Sequence, residues 1–256
     1  MLVVLNMSNP SRTLSLRDFK AIMVDLDGTM VDTMGDFEAA LNLCLADIDL
    51  PKVSPAVVHI AVGKGSEHLI RTVLQHQLAL PDVQASGMVC DNTTVETLFE
   101  PAFARYQHHY ERVNGQFAKV YPGVLEGLQR FQALGLPMAC LTNKPTVFAK
   151  ALLANKGLAG FFSQVFGGDA FERKKPDPMP LLETCRALGS DAAHTLMLGD
   201  SQNDALAARA AGCPVVLVTY GYNHGEPIHG VDCDGDRKST RLNSSHVALS
   251  RMPSSA

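Results

Sequence analysis

The sequence lacks three features that would assign it quickly to a large class of proteins: a strong charge imbalance, a long apolar run and closely paired cysteines. Its 256 residues carry a formal net charge of −4. This mild value excludes the clustered basic surface of a nucleic-acid-binding protein and the polybasic anchor of a membrane-associated one. No stretch approaches the roughly 20 apolar residues of a membrane span, and the apolar residues 1–5 are too few for a signal sequence.

The spacing of the cysteines indicates neither a metal site nor a disulfide framework. Six of them lie far apart, without a C-x-x-C pair: Cys44, Cys90, Cys140, Cys185, Cys213 and Cys233. A zinc site needs closer spacing, and a disulfide framework is typical of a shorter secreted chain. We therefore expect reduced thiols in a cytoplasmic protein.

What the sequence does contain, from residue 19 onward, is a regular alternation of short apolar runs and amphipathic stretches. The apolar runs predict buried strands at residues 21–24, 138–141, 164–166, 195–198 and 215–218. The stretches between them predict helices at residues 124–134, 146–155, 180–188 and 204–211. Strand, loop and helix repeated in this order are typical of an α/β fold with a doubly wound, Rossmann-like parallel sheet.

One long segment interrupts this alternation. Its periodicity predicts helices at residues 37–45, 66–78 and 95–110, and it has no convincing buried strand. Since a crossover of this length usually forms a domain of its own, we predict an all-helical cap at residues 35–119. The cap would divide the α/β core into residues 17–34 and 120–236. Residues 237–256 are polar and aperiodic, and we expect a disordered or non-native tail there.

Two carboxylates directly follow the first predicted strand, in the run Asp25-Leu26-Asp27-Gly28-Thr29. Ligands of open α/β sheets bind beyond the carboxyl ends of the strands, and alternation along an extended chain points residues 25 and 27 the same way. Gly28 permits a sharp turn away from the strand. The alternative interpretation is an acidic turn on the surface.

Three further motifs follow later predicted strands: Thr142-Asn143, Lys175, and the run from Gly199 to Asp204. A hydroxyl and backbone N–H groups suit an anionic oxygen, a lysine neutralises phosphoryl charge, and carboxylates suit magnesium. Taken singly, the three motifs are equally compatible with a turn, a basic surface loop and a helix cap. Their shared placement at strand ends favours one site.

With these four motifs, over about residues 19–235, the sequence resembles the haloacid dehalogenase-like hydrolase superfamily. Within it, residues 141–145, 174–182 and 207–223 are most similar to the bacterial phosphoglycolate phosphatases. The resemblance implies a Mg²⁺-dependent phosphatase that forms an aspartyl-phosphate. The helical segment matches the cap that the superfamily places between its first two motifs.

The resemblance also implies a role for each motif residue. Asp25 would be the nucleophile, and Asp27 would protonate the leaving alkoxide and then activate water. The magnesium ligands would be the Asp25 carboxylate, the Asp27 backbone carbonyl and Asp200. Asp204 would support these ligands without binding the ion itself. Thr142 and the Asn143 amide would bind phosphoryl oxygens, and Lys175 would balance charge.

The predicted cap contains the short turn Gly63-Lys64-Gly65 before a helix that begins at Ser66. Lys64 or the helix start could bind a small carboxylate such as that of 2-phosphoglycolate, although a plain turn between helices is the alternative. We expect a small phosphorylated metabolite as partner, no nucleic acid or membrane, and a monomer or small homo-oligomer. Alternative functions are a sugar-phosphate phosphatase, a pyrophosphatase, a β-phosphoglucomutase and an inactive binding protein on the same fold.

Overall fold

The computed structural model describes residues 15–237 and contains one six-stranded sheet in which all strands are parallel. The strands are β1 (Ala21–Val24), β4 (Met138–Leu141), β5 (Gln164–Phe166), β6 (Thr195–Gly199), β7 (Val215–Val218) and β8 (Gly235–Arg237). Their order across the sheet is β5-β4-β1-β6-β7-β8. The α/β fold class predicted from the sequence is confirmed, and the five predicted strands coincide with β1, β4, β5, β6 and β7.

Helices cover both faces of this sheet. They are α6 (Val124–Ala133), α7 (Thr146–Asn155), α8 (Met179–Ala187) and α9 (Gln202–Ala211). Ile22 and Val24 of β1 pack with α6 and α7, whereas Met23 between them packs with α8 and α9. Side chains alternate along a strand, so a strand buried on both faces needs an unbroken apolar run. This explains why the central strand reads Ala-Ile-Met-Val.

Five helices form a separate layer, here called the helical insertion (residues 34–118). They are α1 (Met34–Ala46), α2 (Pro55–Ala61), α3 (Ser66–Leu78), α4 (Pro81–Ala85) and α5 (Asn92–Val113). Their apolar faces share one buried cluster that includes Leu41, Leu74 and Tyr106. The periodicity predicted α1, α3 and α5. It missed α2 and α4, because helices of seven and five residues are too short to establish a period.

The chain enters and leaves the helical insertion through a small antiparallel ribbon. Its strands are β2 (Val31–Asp32) and β3 (Lys119–Val120), with Val31 opposite Val120 and Asp32 opposite Lys119. Two-residue strands leave no pattern in a sequence. The ribbon places the two crossings between the core and the helical insertion side by side.

Strand β8 was not predicted, since its sequence Gly-Asp-Arg has no apolar run. It pairs with β7, and Asp234 just before it accepts hydrogen bonds from Val215 N (2.9 Å) and Arg209 Nη1 (2.7 Å). Arg237, the first residue of the predicted tail, ends this strand. Residues 238–256 of that tail lie outside the described residues. Within residues 15–237, no helix has the length and apolarity needed to cross a bilayer.

Candidate active site

All the predicted site residues except Lys64 meet at the carboxyl edge of the sheet. Asp25 follows β1, Thr142 follows β4 and Asp200 follows β6, and β4 and β6 are the two neighbours of β1. Because the strands are parallel, these three positions lie side by side. Together with Lys175 and residues of the helical insertion they line one small cavity of about 50 Å³, here called the acidic cavity.

Three buried aspartates form the floor of the acidic cavity. Carboxylate oxygens of Asp25, Asp200 and Asp204 all lie within 4.8 Å of one another. The Thr29 hydroxyl lies between two of them, 3.4 Å from Asp25 Oδ2 and 3.2 Å from Asp200 Oδ1. Tyr222 donates its backbone N–H to Asp200 Oδ2 at 2.5 Å. The carboxylates are therefore fixed in position by the surrounding chain.

Lys175 reaches this floor from the loop before α8. Its Nζ lies 2.8 Å from Asp25 Oδ1, 2.7 Å from Asp204 Oδ1 and 2.7 Å from the Leu141 carbonyl oxygen. Burial lowers the pKa of Lys175, but the carboxylates of Asp204 and Asp25 more than offset this effect, so its pKa is raised overall. The lysine is consequently a permanent cation beside the Asp25 carboxylate.

Asp204 holds other residues of the site in place. Its Oδ2 accepts hydrogen bonds from the backbone N–H groups of Asp200 (3.2 Å) and Ser201 (3.1 Å) and from the Ser201 hydroxyl (2.7 Å), while its Oδ1 accepts from Lys175. The contact with the Ser201 N–H belongs to the capping box at the start of α9. Asp204 therefore both caps the helix and supports the site, the two interpretations that its sequence position allowed.

The electrostatics of the acidic cavity favour a divalent cation. Among its lining residues, two lysines face four aspartates, which leaves an excess of two negative charges when all four carboxylates are ionised. Burial raises the pKa of Asp25 to about 6, against the lowering effect of Lys175, and burial and the Asp25 charge raise the pKa of Asp200 well above its usual range. Clustered carboxylate oxygens are the ligands that Mg²⁺ prefers. The donor set and the charge excess therefore both fit this ion.

Asp27 lies in the same cavity and has an unexpected partner. Lys144 Nζ lies 2.9 Å and 3.1 Å from the two Asp27 carboxylate oxygens and donates to the Tyr110 hydroxyl at 2.6 Å. Sequence reasoning did not assign Lys144 or Tyr110 to the site. Lys144 follows the Thr-Asn motif in an ordinary-looking turn, and Tyr110 looks like a core residue of a helix. The only available signal was that an aspartate in a largely enclosed site, such as Asp27, would need a counter-charge.

The phosphoryl-binding candidates Thr142 and Asn143 also line the acidic cavity. The Thr142 hydroxyl accepts a hydrogen bond from Lys144 N at 3.2 Å. The side-chain amide of Asn143 donates to the carbonyl oxygens of Lys175 (2.9 Å) and Gly63 (3.2 Å). This side chain thus connects the loop of Lys175 to the helical insertion.

The turn before α3 reaches the acidic cavity only in part. Gly63, Gly65 and Ser66 line it, and Asn203 donates a second hydrogen bond to the Gly63 carbonyl at 3.2 Å. Lys64 instead lines an adjoining groove of about 610 Å³. His68 lines the same groove, and its pKa is lowered by burial and by the charges of Lys64 and Lys174. The structure therefore brings Gly63 to the predicted site but not Lys64.

Residues 19–212 match the family model described as haloacid dehalogenase-like hydrolase. The chain is 41% identical over 216 residues to a phosphoglycolate phosphatase of Thiobacillus denitrificans, covering 84% of this chain and 89% of that protein. It is 40% identical over 202 residues to a plasmid-encoded phosphoglycolate phosphatase of Cupriavidus necator, and this alignment covers 79% of this chain and 81% of that protein.

Among solved structures, a predicted phosphoglycolate phosphatase from Haemophilus somnus superposes with a TM-score of 0.79 at 31% identity. The superposition covers 87% of this chain and 95% of that one. A second structure, CbbY from Rhodobacter sphaeroides in complex with phosphate, has the same fold, with a TM-score of 0.69 at 19% identity, and covers 90% of this chain and 100% of that one.

Proposed function

The chain belongs to the haloacid dehalogenase-like hydrolases, and on this basis we propose that it is a magnesium-dependent phosphatase that hydrolyses 2-phosphoglycolate to glycolate and phosphate. The family resemblance and the hydrolase class predicted from the sequence are confirmed by the comparisons. The observation that carries the proposal is that the Asp25 carboxylate lies within 4.8 Å of the Asp200 carboxylate and 2.8 Å from the Lys175 ammonium. The names of the relatives support the choice of substrate.

In the proposed reaction, Asp25 is the nucleophile. One of its carboxylate oxygens attacks phosphorus, the bond from phosphorus to the ester oxygen breaks, and an aspartyl-phosphate forms. Water then attacks the phosphorus of this intermediate, which releases phosphate and restores Asp25. A carboxylate and a phosphate dianion repel each other, so the approach requires neighbouring positive charge. Lys175 supplies part of this positive charge, since its Nζ lies 2.8 Å from Asp25 Oδ1.

Asp27 is the proposed acid and base. Once it has taken up a proton from solvent, it would donate this proton to the departing glycolate oxygen in the first step and regain one from the attacking water in the second. One group can perform both tasks because the second step reverses the proton transfer of the first. Asp25 and Asp27 both line the acidic cavity, which supports this pairing.

We propose that Mg²⁺ is held by the Asp25 carboxylate, the Asp27 backbone carbonyl and the Asp200 carboxylate, with Asp204 supporting Asp200 and Lys175. When bound, the ion would neutralise phosphoryl charge and polarise the phosphorus–oxygen bonds. Further phosphoryl contacts are assigned to the Thr142 hydroxyl and the Asn143 backbone N–H, since the Asn143 side chain already donates to two carbonyl groups.

The carboxylate of the substrate would face the helical insertion. The first turn of α3 leaves backbone N–H groups free for an anion, and Gly65 and Ser66 of this turn line the acidic cavity. Gly63 holds the turn in place through its carbonyl oxygen. We assign Lys64 a role outside the acidic cavity, as a positive charge on the approach through the adjoining groove. We place the reaction in the cytoplasm, a choice that the six free cysteines support.

The test is phosphate release from a panel of phosphate esters, with Mg²⁺ and with a chelator. The panel contains 2-phosphoglycolate, a hexose phosphate, pyrophosphate and β-glucose 1-phosphate with its bisphosphate activator. We expect 2-phosphoglycolate to have the highest kcat/KM, and only in the presence of Mg²⁺. Higher activity on another member of the panel would contradict the proposed substrate.

The nucleophile is tested by Asp25→Asn, with the exposed Asp82→Asn as matched control. Rapid quenching with acid followed by mass spectrometry of peptides should show one added phosphoryl group on the peptide that contains Asp25. Asp25→Asn should show neither this adduct nor turnover, whereas Asp82→Asn should show both. Equal phosphate release by wild type and Asp25→Asn would contradict the nucleophile assignment.

A further inference from the structure

Lys144 is a buried lysine that has no role in the steps described above. Its side chain is only 2% exposed, and its Nζ lies 4.7 Å from the ring centres of both Phe37 and Tyr110. Burying an ammonium group is unfavourable unless it is paired and hydrogen-bonded. Here it is paired, with the two Asp27 oxygens and the Tyr110 hydroxyl as its partners.

These contacts account for all the donors of the ammonium group. A lysine Nζ carries three N–H bonds, and two of them point at Asp27 while the third points at Tyr110. A new anion can therefore bind Lys144 only by taking over one or more of these contacts, and Asp27 is the partner that another carboxylate replaces in kind. An anionic group on the substrate is able to do so, and a neutral one is not.

The chemistry of the proposed substrate places such an anion at the right distance. In 2-phosphoglycolate a single methylene carbon separates the ester oxygen from the carboxylate. If Asp27 contacts the ester oxygen, the Lys144 ammonium, which lies 2.9 Å and 3.1 Å from the two Asp27 oxygens in the free protein, would come close to the substrate carboxylate. The other lysine of the acidic cavity, Lys175, is engaged by Asp25 and Asp204 at the phosphoryl end.

Aromatic side chains form the wall around Lys144. The rings of Phe37 and Tyr110 stack with centres 5.5 Å apart, and Phe148 meets Tyr110 edge-on at 5.2 Å. Such a wall offers a polyhydroxyl leaving group few hydrogen-bond partners, and it strengthens the attraction of the ammonium for an anion by excluding water. The surroundings of Lys144 thus favour a small anionic leaving group.

We propose that Lys144 recognises the carboxylate of the leaving group by exchanging Asp27 for it. This inference rests on the proposed function. In the free protein Lys144 holds Asp27. In the substrate complex one oxygen of the carboxylate takes over Lys144 while the other faces the first turn of α3. The Asp27 side chain is then released to turn toward the ester oxygen. A neutral leaving group leaves Asp27 on Lys144, so the same exchange both binds the right substrate and positions the acid.

The test compares 2-phosphoglycolate with ethyl phosphate, which has the same two-carbon leaving group without the carboxylate. For Lys144→Met we expect kcat/KM for 2-phosphoglycolate to fall by about 100-fold, the loss typical of removing one partner from a buried ion pair. The loss with ethyl phosphate should be several-fold at most. The matched control is Lys150→Met, the same substitution at an exposed lysine of α7, which should retain the preference of the wild type.

Each result has a distinct meaning. If Lys144→Met loses activity equally on both esters, Lys144 only supports the site and the inference is wrong. Should the variant fail to fold, as judged by thermal melting, Tyr110→Phe replaces it, because it removes one partner of Nζ and keeps the ring. Because Tyr110→Phe removes one hydrogen bond, it should raise KM for 2-phosphoglycolate about fivefold. It should leave KM for ethyl phosphate nearly constant. Equal changes in KM for the two esters would overturn the inference.

The same measurements separate this inference from the proposed function. A wild type that hydrolyses p-nitrophenyl phosphate but not 2-phosphoglycolate would overturn the proposed substrate and the role of Lys144 with it. A wild type that strongly prefers 2-phosphoglycolate, combined with a Lys144→Met variant that keeps this preference, would overturn the role of Lys144 alone.

Discussion

The backbone N–H of Tyr222 donates a hydrogen bond of 2.5 Å to Oδ2 of Asp200. The phenol of the same tyrosine donates to Asp32 Oδ1 at 2.5 Å and accepts from the backbone N–H groups of Thr33 (2.8 Å) and Met34 (3.2 Å). Asp32 belongs to the ribbon at the base of the helical insertion. Tyr222 therefore connects a carboxylate of the acidic cavity to the point where the helical insertion joins the sheet.

Removing the phenol should destabilise this junction. We expect Tyr222→Phe to lower the free energy of unfolding by about 2–3 kcal/mol, because three hydrogen bonds are lost and the buried Thr33 N–H is left without its partner. The control is Tyr220→Phe, which loses one hydrogen bond, to the Thr29 carbonyl at 3.0 Å, and should cost about 1 kcal/mol. Urea denaturation measures both values, and equal losses would contradict this account of the junction.

Any side chain added at Gly28 should disturb the acidic cavity. A Cβ atom at this position would lie 2.0 Å from Asp200 Oδ2, and its φ of 84° already disfavours other residues. Gly135 has a similar φ of 72° but open space around it. Both Gly→Ala variants should thus bear the same backbone strain of roughly 1 kcal/mol. Only Gly28→Ala should displace Asp200 as well, with a fall in kcat/KM on the order of 100-fold.

The comparison between these two glycine variants is made on steady-state phosphate release and on the Mg²⁺ concentration that gives half-maximal activity. Gly28→Ala should need more Mg²⁺, and Gly135→Ala should need the same amount as the wild type. A Gly28→Ala variant with normal Mg²⁺ dependence would show that Asp200 does not contribute to the metal site.

The stability of the metal-free protein should depend on pH through Asp25. Its pKa is raised to about 6, chiefly by burial, from an unfolded value of 3.8. Between these two values the folded state binds more protons than the unfolded state, so the contribution of Asp25 to stability is lost as pH rises from about 4 to about 6. In the proposed site Mg²⁺ would bind the ionised carboxylate, so it should raise the melting temperature more at about pH 7.5 than at about pH 5.

Differential scanning fluorimetry with Mg²⁺ or a chelator at both pH values measures this difference. The control is Asp25→Asn, which has no proton to lose, so that its Mg²⁺-induced shift should be smaller and less dependent on pH. A wild-type shift of equal size at both pH values would rule out Asp25 as a magnesium ligand.

Lys64 should act on approaching anions at long range. Since it lines the adjoining groove and not the acidic cavity, Lys64→Ala should raise KM for 2-phosphoglycolate by about threefold at low ionic strength and by less at high salt. The effect on ethyl phosphate should be smaller, because that ester carries one negative charge fewer. Lys150→Ala serves as control, and a KM effect of Lys64→Ala that salt does not reduce would indicate direct contact with the substrate.

The sequence predicted the sheet well for a definite reason. A strand buried on both faces, such as β1 or β4, must be apolar at every position, and such a run is visible without knowledge of its neighbours. Strand β8 and the ribbon of β2 and β3 are held by pairing with other strands rather than by their own composition. Their sequences therefore do not distinguish them from loops.

The same distinction applies to the acidic cavity. Asp25, Thr142 and Asp200 could be placed together because each follows a buried strand and parallel strands end at one edge. Lys144 is 117 residues from Asp27 and 34 from Tyr110. No local pattern relates these three positions, since their contact depends on how the helical insertion packs over the sheet.

The sequence by itself determined the order of the strands along the chain, the chemical groups at their ends and the family to which the chain belongs. These are local properties, which follow from the apolar runs and from the short motifs around Asp25, Lys175 and Asp200. Only the tertiary structure decided that Lys144 holds Asp27, that Tyr222 joins Asp200 to the ribbon, and that Lys64 lies outside the acidic cavity. The physical reason is that a buried charge is stabilised by whichever partner the fold brings within about 3 Å, at any distance along the chain.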